Sequence, residues 1–116
     1  MEMLKLFVKD LEGPMLRAAL ATALDLEFTI VPPAYSVGNR ILIEGVREYF
    51  RPDVHWPQGG PLIDTHWREA TAWLIDQFGP NWRDEIDGLP GSILVWFCRA
   101  IVGSKFGDVV NVQHLE

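Results

Sequence analysis

The chain has 116 residues, 48% of them apolar and 22% charged, which suits one globular domain with its own core and excludes a disordered or low-complexity chain. With 16 acidic and 10 basic residues the net charge is -6. That balance argues against duplex nucleic acid as a partner, because such binding relies on Lys and Arg releasing counterions from phosphates.

In chain order, residues 4 to 8 read as a short edge strand. The N-terminal run is too short and too charged for a signal peptide, and no apolar run approaches the ~20 residues of a membrane helix, so the chain reads as cytoplasmic. Pro14 sits where a first helical turn accepts proline, and Leu16, Ala19, Leu20, Ala23 and Leu24 recur at spacings of three and four. These predict a helix from about Pro14 to Asp25. Leu26 to Val31 alternates apolar and polar residues and reads as a strand stopped by Pro32-Pro33. Arg40 to Glu44 reads as its antiparallel partner across a turn at residues 35 to 39. Val46 to Phe50 fits either an extension of that strand or a half-turn.

The stretch Tyr49-Phe50-Arg51-Pro52-Asp53-Val54-His55-Trp56-Pro57-Gln58-Gly59-Gly60-Pro61-Leu62-Ile63 packs three prolines and two glycines into its later part. Proline fixes φ, and glycine admits backbone angles closed to other residues, so the stretch reads as one rigid irregular loop. Trp56 at its centre has two readings. It plugs the core beneath the loop, or the loop presents it with His55, Gln58 and the Gly59 and Gly60 amides to a partner.

Beyond the loop, Asp64 or Thr65 is placed to cap a helix of about Thr65 to Phe78, carried by Trp67, Ala70, Thr71, Leu74 and Phe78. Gly79-Pro80 stops it. A hairpin over 70 to 77 and 82 to 87 is the competing reading. Asn81 caps a short helical turn, residues 88 to 92 form a loop, and Pro90 or Ser92 opens a helix ending near Phe106-Gly107. That helix is apolar from Ile93 to Ile101 except for Arg99 and is expected to be the core spine. Asp108 to Val112 reads as a last strand. Leu115-Glu116 has the look of an expression-tag scar, which leaves residues 1 to 114 as the single domain.

No catalytic set stands out. Cys98 is the one cysteine, so no internal disulfide forms, and its apolar surroundings predict an inert buried thiol. Asp53-Val54-His55 and Asp64-Thr65-His66 flank the glycine pair. Together His55, Asp64 and His66 offer a small-ligand or metal-binding enzyme as an alternative to a binding module. Gly103-Ser104-Lys105 lies late in a predicted helix, where a phosphate loop does not put its lysine. The basic residues Arg40, Arg47, Arg51 and Lys105 are scattered. Arg51 near Tyr49 and Trp56 suggests, as a third reading, weak stacking on single-stranded nucleic acid.

Residues 49 to 64 resemble the pattern Tyr-x-Pro-Ser-Thr-Asp-Trp-x-x-Gly-Gly-Pro-Leu-Ile-Glu of the NinX-like family, small bacteriophage and prophage proteins of unknown function. Met15 to Leu20 is similar to that family's opening helix. Gly88-Leu89-Pro90 and the run Arg99 to Asp108 are similar to its last helix and a Val-Ala-Ser-Lys-Phe-Gly end. Asp53-Val54-His55 departs from the family's Ser-Thr-Asp, and Trp67 to Gln77 is longer and more helical than its middle. The resemblance implies a phage or prophage accessory protein of the bacterial cytoplasm and supplies no activity.

The sequence therefore predicts an α+β domain of about three helices on a small, mostly antiparallel sheet. Its expected role is to bind a host or phage protein through His55, Trp56, Gln58, Gly59 and Gly60. No cofactor, catalytic residue, duplex nucleic acid or membrane is expected, and a homodimer through exposed aromatics is compatible with that role.

Overall fold

The computed structural model describes residues 3–35 and 37–115. Strand β1 (Met3–Phe7) and a tight helical turn (Val8–Asp10) lead into helix α1 (Gly13–Ala23). Strands β2 (Phe28–Val31) and β3 (Arg40–Ile43) follow, then helices α2 (Trp56–Thr65), α3 (Trp67–Phe78), α4 (Trp82–Asp87) and α5 (Ile93–Phe106), and strand β4 (Val109–Gln113). The fold is α+β, as the sequence predicts. It has two separate two-stranded sheets where one was expected, and two helices beyond the expected three.

Helix α5 is the spine. Its sequence is apolar nearly all round, and Leu94 and every residue from Trp96 to Gly103 are buried. Ser92 starts it, its Oγ accepting the Val95 N–H at 3.3 Å. Helices α1, α2, α3 and α4 all pack on it. Arg99, the polar exception, is buried with its guanidinium 4.6 Å over the Trp96 ring, and its Nε donates to the Leu11 carbonyl at 2.8 Å. Burial of that charge pushes the Arg99 pKa down. Gly103 admits the Trp73 indole so closely that a Cβ there would overlap the ring.

Each sheet is too small to stand alone and leans on helices. β1 pairs antiparallel with β4, from Met3 opposite Gln113 to Phe7 opposite Val109. β2 pairs antiparallel with β3, from Phe28 opposite Ile43 to Val31 opposite Arg40. Gly45, at φ +82°, reverses the chain after β3. Tyr49 and Phe50 then return beside that strand, the Phe50 N–H donating to the Ile41 carbonyl at 2.7 Å. Of the two readings for residues 46 to 50, the structure takes the turn, and the returning chain meets β3 in a single bridge of Tyr49 to Leu42. Leu115 is buried with Ala21, Ile41 and Ile43 in a second apolar cluster, so this tag-like residue contributes to the core. Glu116 lies outside the described residues.

The expected central loop is the main correction. Its second half is helix α2, with Pro57 in the first turn and Pro61 inside. Glycine and proline disfavour helices by about 1 and 3 kcal/mol per residue, so local preference opposes α2 and packing supplies it. Pro57 lies where helices accept proline. Gly59 is buried against the Pro52 carbonyl and lies where a Cβ would stand 2.7 Å from Leu94 Cδ2. Neither Asp64 nor Thr65 caps α3. His66 joins α2 to α3 as the last cap of one and the first of the other, with no side-chain capping bond. Residues 67 to 78 form the predicted helix and not the competing hairpin. Among the described residues no helix is long and apolar enough to cross a membrane.

Candidate functional site

Trp56 and Ile63, seven residues apart, share one side of α2, and Trp67, four residues further on, opens α3 just beyond the His66 junction. Helices α2 and α3 carry these residues toward α4 and the start of α5. Between these elements runs a groove of about 510 Å³ containing four of the five tryptophans, Trp56, Trp67, Trp82 and Trp96. Trp82, Trp96 and Phe97 are buried and form the floor. Trp56 is 57% exposed, Trp67 43% and Ile93 40%, and these three form the upper walls. The core-plug reading of Trp56 is thereby overturned. The floor beneath the groove is already filled by Trp82, Trp96 and Phe97.

The ring geometry is fixed. Trp67 stacks on Phe97 at 5.4 Å with an interplanar angle of 18°, and Trp82 meets Trp67 edge-on at 6.4 Å and Phe97 edge-on at 5.8 Å. The Arg83 guanidinium lies 5.7 Å from the Trp67 ring centre and 5.2 Å from that of Trp82, a cation–π clamp on one wall. The Trp96 Nε1–H donates to the Pro90 carbonyl at 3.2 Å, which locks that ring. Arg83 and Asp87 are the ionisable groups of the lining, and the Ser92 hydroxyl is committed to capping α5. This arrangement offers flat apolar faces and a charged rim, the chemistry of binding.

The five residues expected to form the binding surface divide. Trp56 is at the groove. His55 is half-buried and caps the start of α2. Gln58 is a staple: its Oε1 accepts the Arg51 N–H at 2.7 Å and its Nε2 donates to the Tyr49 carbonyl at 2.9 Å. The Gly59 amide is not presented to a partner. It donates to the His55 carbonyl at 2.9 Å inside α2. Gly60 lies under the Trp56 ring, where an added Cβ would stand 3.8 Å from Cε3.

His55 and His66 cap opposite ends of α2, roughly 16 Å apart along its axis, so the structure does not bring the His55, Asp64 and His66 set together. Among the described residues no three His, Cys, Asp or Glu side chains are grouped to hold a metal ion. Asp53 has a different role. It is buried and receives Arg17 through both carboxylate oxygens, at 2.7 and 3.2 Å, tying α1 to the turn before α2. Tyr49 and Arg51 line a cavity separate from the Trp56 groove, so the proposed stacking trio is split.

Sequence reasoning missed Trp67, Trp82, Arg83 and Ile93 as one site. The signal was the spacing of Trp56 and Ile63 with Trp67 just beyond, hidden by reading residues 56 to 63 as loop. Comparisons with protein-family models, with curated proteins and with solved structures gave no match.

Proposed function

We propose that this chain is a non-enzymatic interaction module, an accessory protein of phage or prophage type that holds a short apolar segment of a host or phage protein in the tryptophan groove. The observation that carries the reading is the pair of exposed tryptophans, Trp56 and Trp67, standing over a floor of buried rings. Contiguous exposed apolar surface of this kind marks interaction sites, and tryptophan and arginine dominate binding hot spots. Arg83 and Asp87 at the rim supply orientation through charge. The resemblance of residues 49 to 64 to the NinX-like pattern supports the phage setting and a bacterial cytoplasmic location.

The test is capture from nuclease-treated bacterial lysate by wild type, Trp56→Ala and Trp67→Ala, followed by competition with peptides cut from the captured protein. Trp56 is largely exposed, so Trp56→Ala is expected to stay folded and to lose no more than about 1 kcal/mol of stability. It is expected to lose the partner, with an apolar peptide displacing that partner from wild type. A folded Trp56→Ala that retains full affinity refutes the groove as the binding surface. Self-association that is lost in the same variant assigns the groove to a second copy of the chain.

A further inference from the structure

The arginines that look scattered in sequence do not stay scattered. Four of the ten cationic residues, Arg17, Arg40, Arg47 and Arg51, line one cavity of about 510 Å³ between α1, β3 and the segment from Arg47 to Val54. Among the described residues its one lining carboxylate is Glu48. Arg17 is neutralised from behind by Asp53. Arg40 is held over the Tyr49 ring at 4.9 Å, donating from Nη1 to the Tyr49 hydroxyl and from Nη2 to the Pro32 carbonyl, both at 3.1 Å. Its Nε is buried without a hydrogen-bond partner among the described residues. Arg47 and Arg51 are exposed, and their guanidinium groups make no bond or ion pair within the described residues, although Glu48 is adjacent in sequence.

With Arg17 offset by Asp53 and with Glu48 in the lining, the guanidiniums still leave the concavity net positive within a chain of net charge -6, which favours an incoming anion. Arginine, with its planar fork, suits phosphate better than lysine does. Val37, Ile41 and Val54 form apolar wall beside the charges, and the volume lies within the usual range of small-molecule pockets. A phosphate monoester carries about two negative charges at neutral pH, which matches the two unpaired arginines.

We propose that this cavity binds a phosphate monoester on a small organic body, the class of a mononucleotide, with Arg47 and Arg51 as its primary ligands. The phosphate can come from a free nucleotide or from the 5′ end of a nucleic-acid strand.

The experiment is calorimetric titration at low salt with a nucleoside monophosphate, the matching nucleoside, and a short single strand with and without a 5′ phosphate. The proteins are wild type, Arg47→Ala/Arg51→Ala, and Arg68→Ala as a control for an exposed arginine on α3. The expected result is binding of the phosphorylated probes only, about tenfold or more weaker in the double variant, as for loss of charge-assisted hydrogen bonds, and unchanged in Arg68→Ala. A 5′-phosphorylated strand that binds more tightly than the monophosphate identifies a strand end as the source, and equal affinity identifies the free nucleotide. The proposal is overturned if no phosphorylated probe binds, if the unphosphorylated strand binds equally well, or if the double variant binds like wild type. The variants leave the tryptophan groove intact, so failure here is separate from failure of the interaction reading.

Discussion

Cys98 shows how far one side chain reports its surroundings. It is buried in α5, and burial pushes its thiol up from 9.0 to about 12, with the Asp53 carboxylate adding to the rise and Arg17 opposing it. The structure shows the thiol free and buried, as the sequence predicts. The unfolded chain releases this proton above about pH 9, while the folded chain keeps it until about 12. Between those values the folded state binds more protons, so stability falls as pH rises through that window. Denaturation midpoints followed across it are expected to fall more steeply for wild type than for Cys98→Ala. A thiol reagent at neutral pH is expected to label Cys98 only when the chain unfolds. Rapid labelling of the native protein, or parallel midpoint curves, contradicts this. Asp53 teaches the same lesson about reach. Its sequence neighbours suggested a metal site, and its partner turned out to be Arg17 on α1.

At the scale of elements, α2 separates what sequence shows from what only packing shows. Helix α1 and strand β2 follow from apolar residues that recur with the element's own period, β3 from its run of β-formers, and α5 from an apolar run opened by Ser92 and closed at Gly107. α3 follows likewise from Trp67, Ala70, Leu74 and Phe78. α2 does not, since its two glycines and the internal Pro61 oppose a helix and its support comes from Pro52 and Leu94, distant in local pattern. The two glycines are therefore not equivalent. Gly59→Ala forces a Cβ against the Pro52 carbonyl, a backbone atom that cannot swing away, and is expected to cost about 1–3 kcal/mol. Gly60→Ala meets only the Trp56 ring at ordinary contact distance and is expected to be neutral or to gain up to about 1 kcal/mol of helix stability. Thermal unfolding of the two variants checks the contrast, and equal effects refute it. The site was legible in the same partial way. Trp56 was found by its residue type and the rest of the groove was not, because Trp82, Arg83 and Ile93 join it only through the packing of α4 and α5.

For the whole molecule, two surfaces of different chemistry share one small body with a radius of gyration of 13.8 Å. The aromatic groove and the arginine-lined cavity lie on either side of the segment from Tyr49 to Trp56, with Trp56 in the groove and Tyr49 to Arg51 at the cavity. Gln58 governs that segment. The segment gives the Phe50 N–H to β3, and the outward Tyr49 carbonyl and Arg51 N–H go to the Gln58 amide. One side chain thus imitates a residue of a neighbouring strand and satisfies two backbone groups that an open edge would present to another chain. Gln58→Ala is expected to leave the circular dichroism of the monomer unchanged while light scattering at high protein concentration rises over hours. A variant that remains as monodisperse as wild type would show that the edge is guarded by other means. Where scattering does rise, the residue that sequence placed on the binding surface serves the protein by preventing contact: a guard against self-templated fibres, built from a single amide.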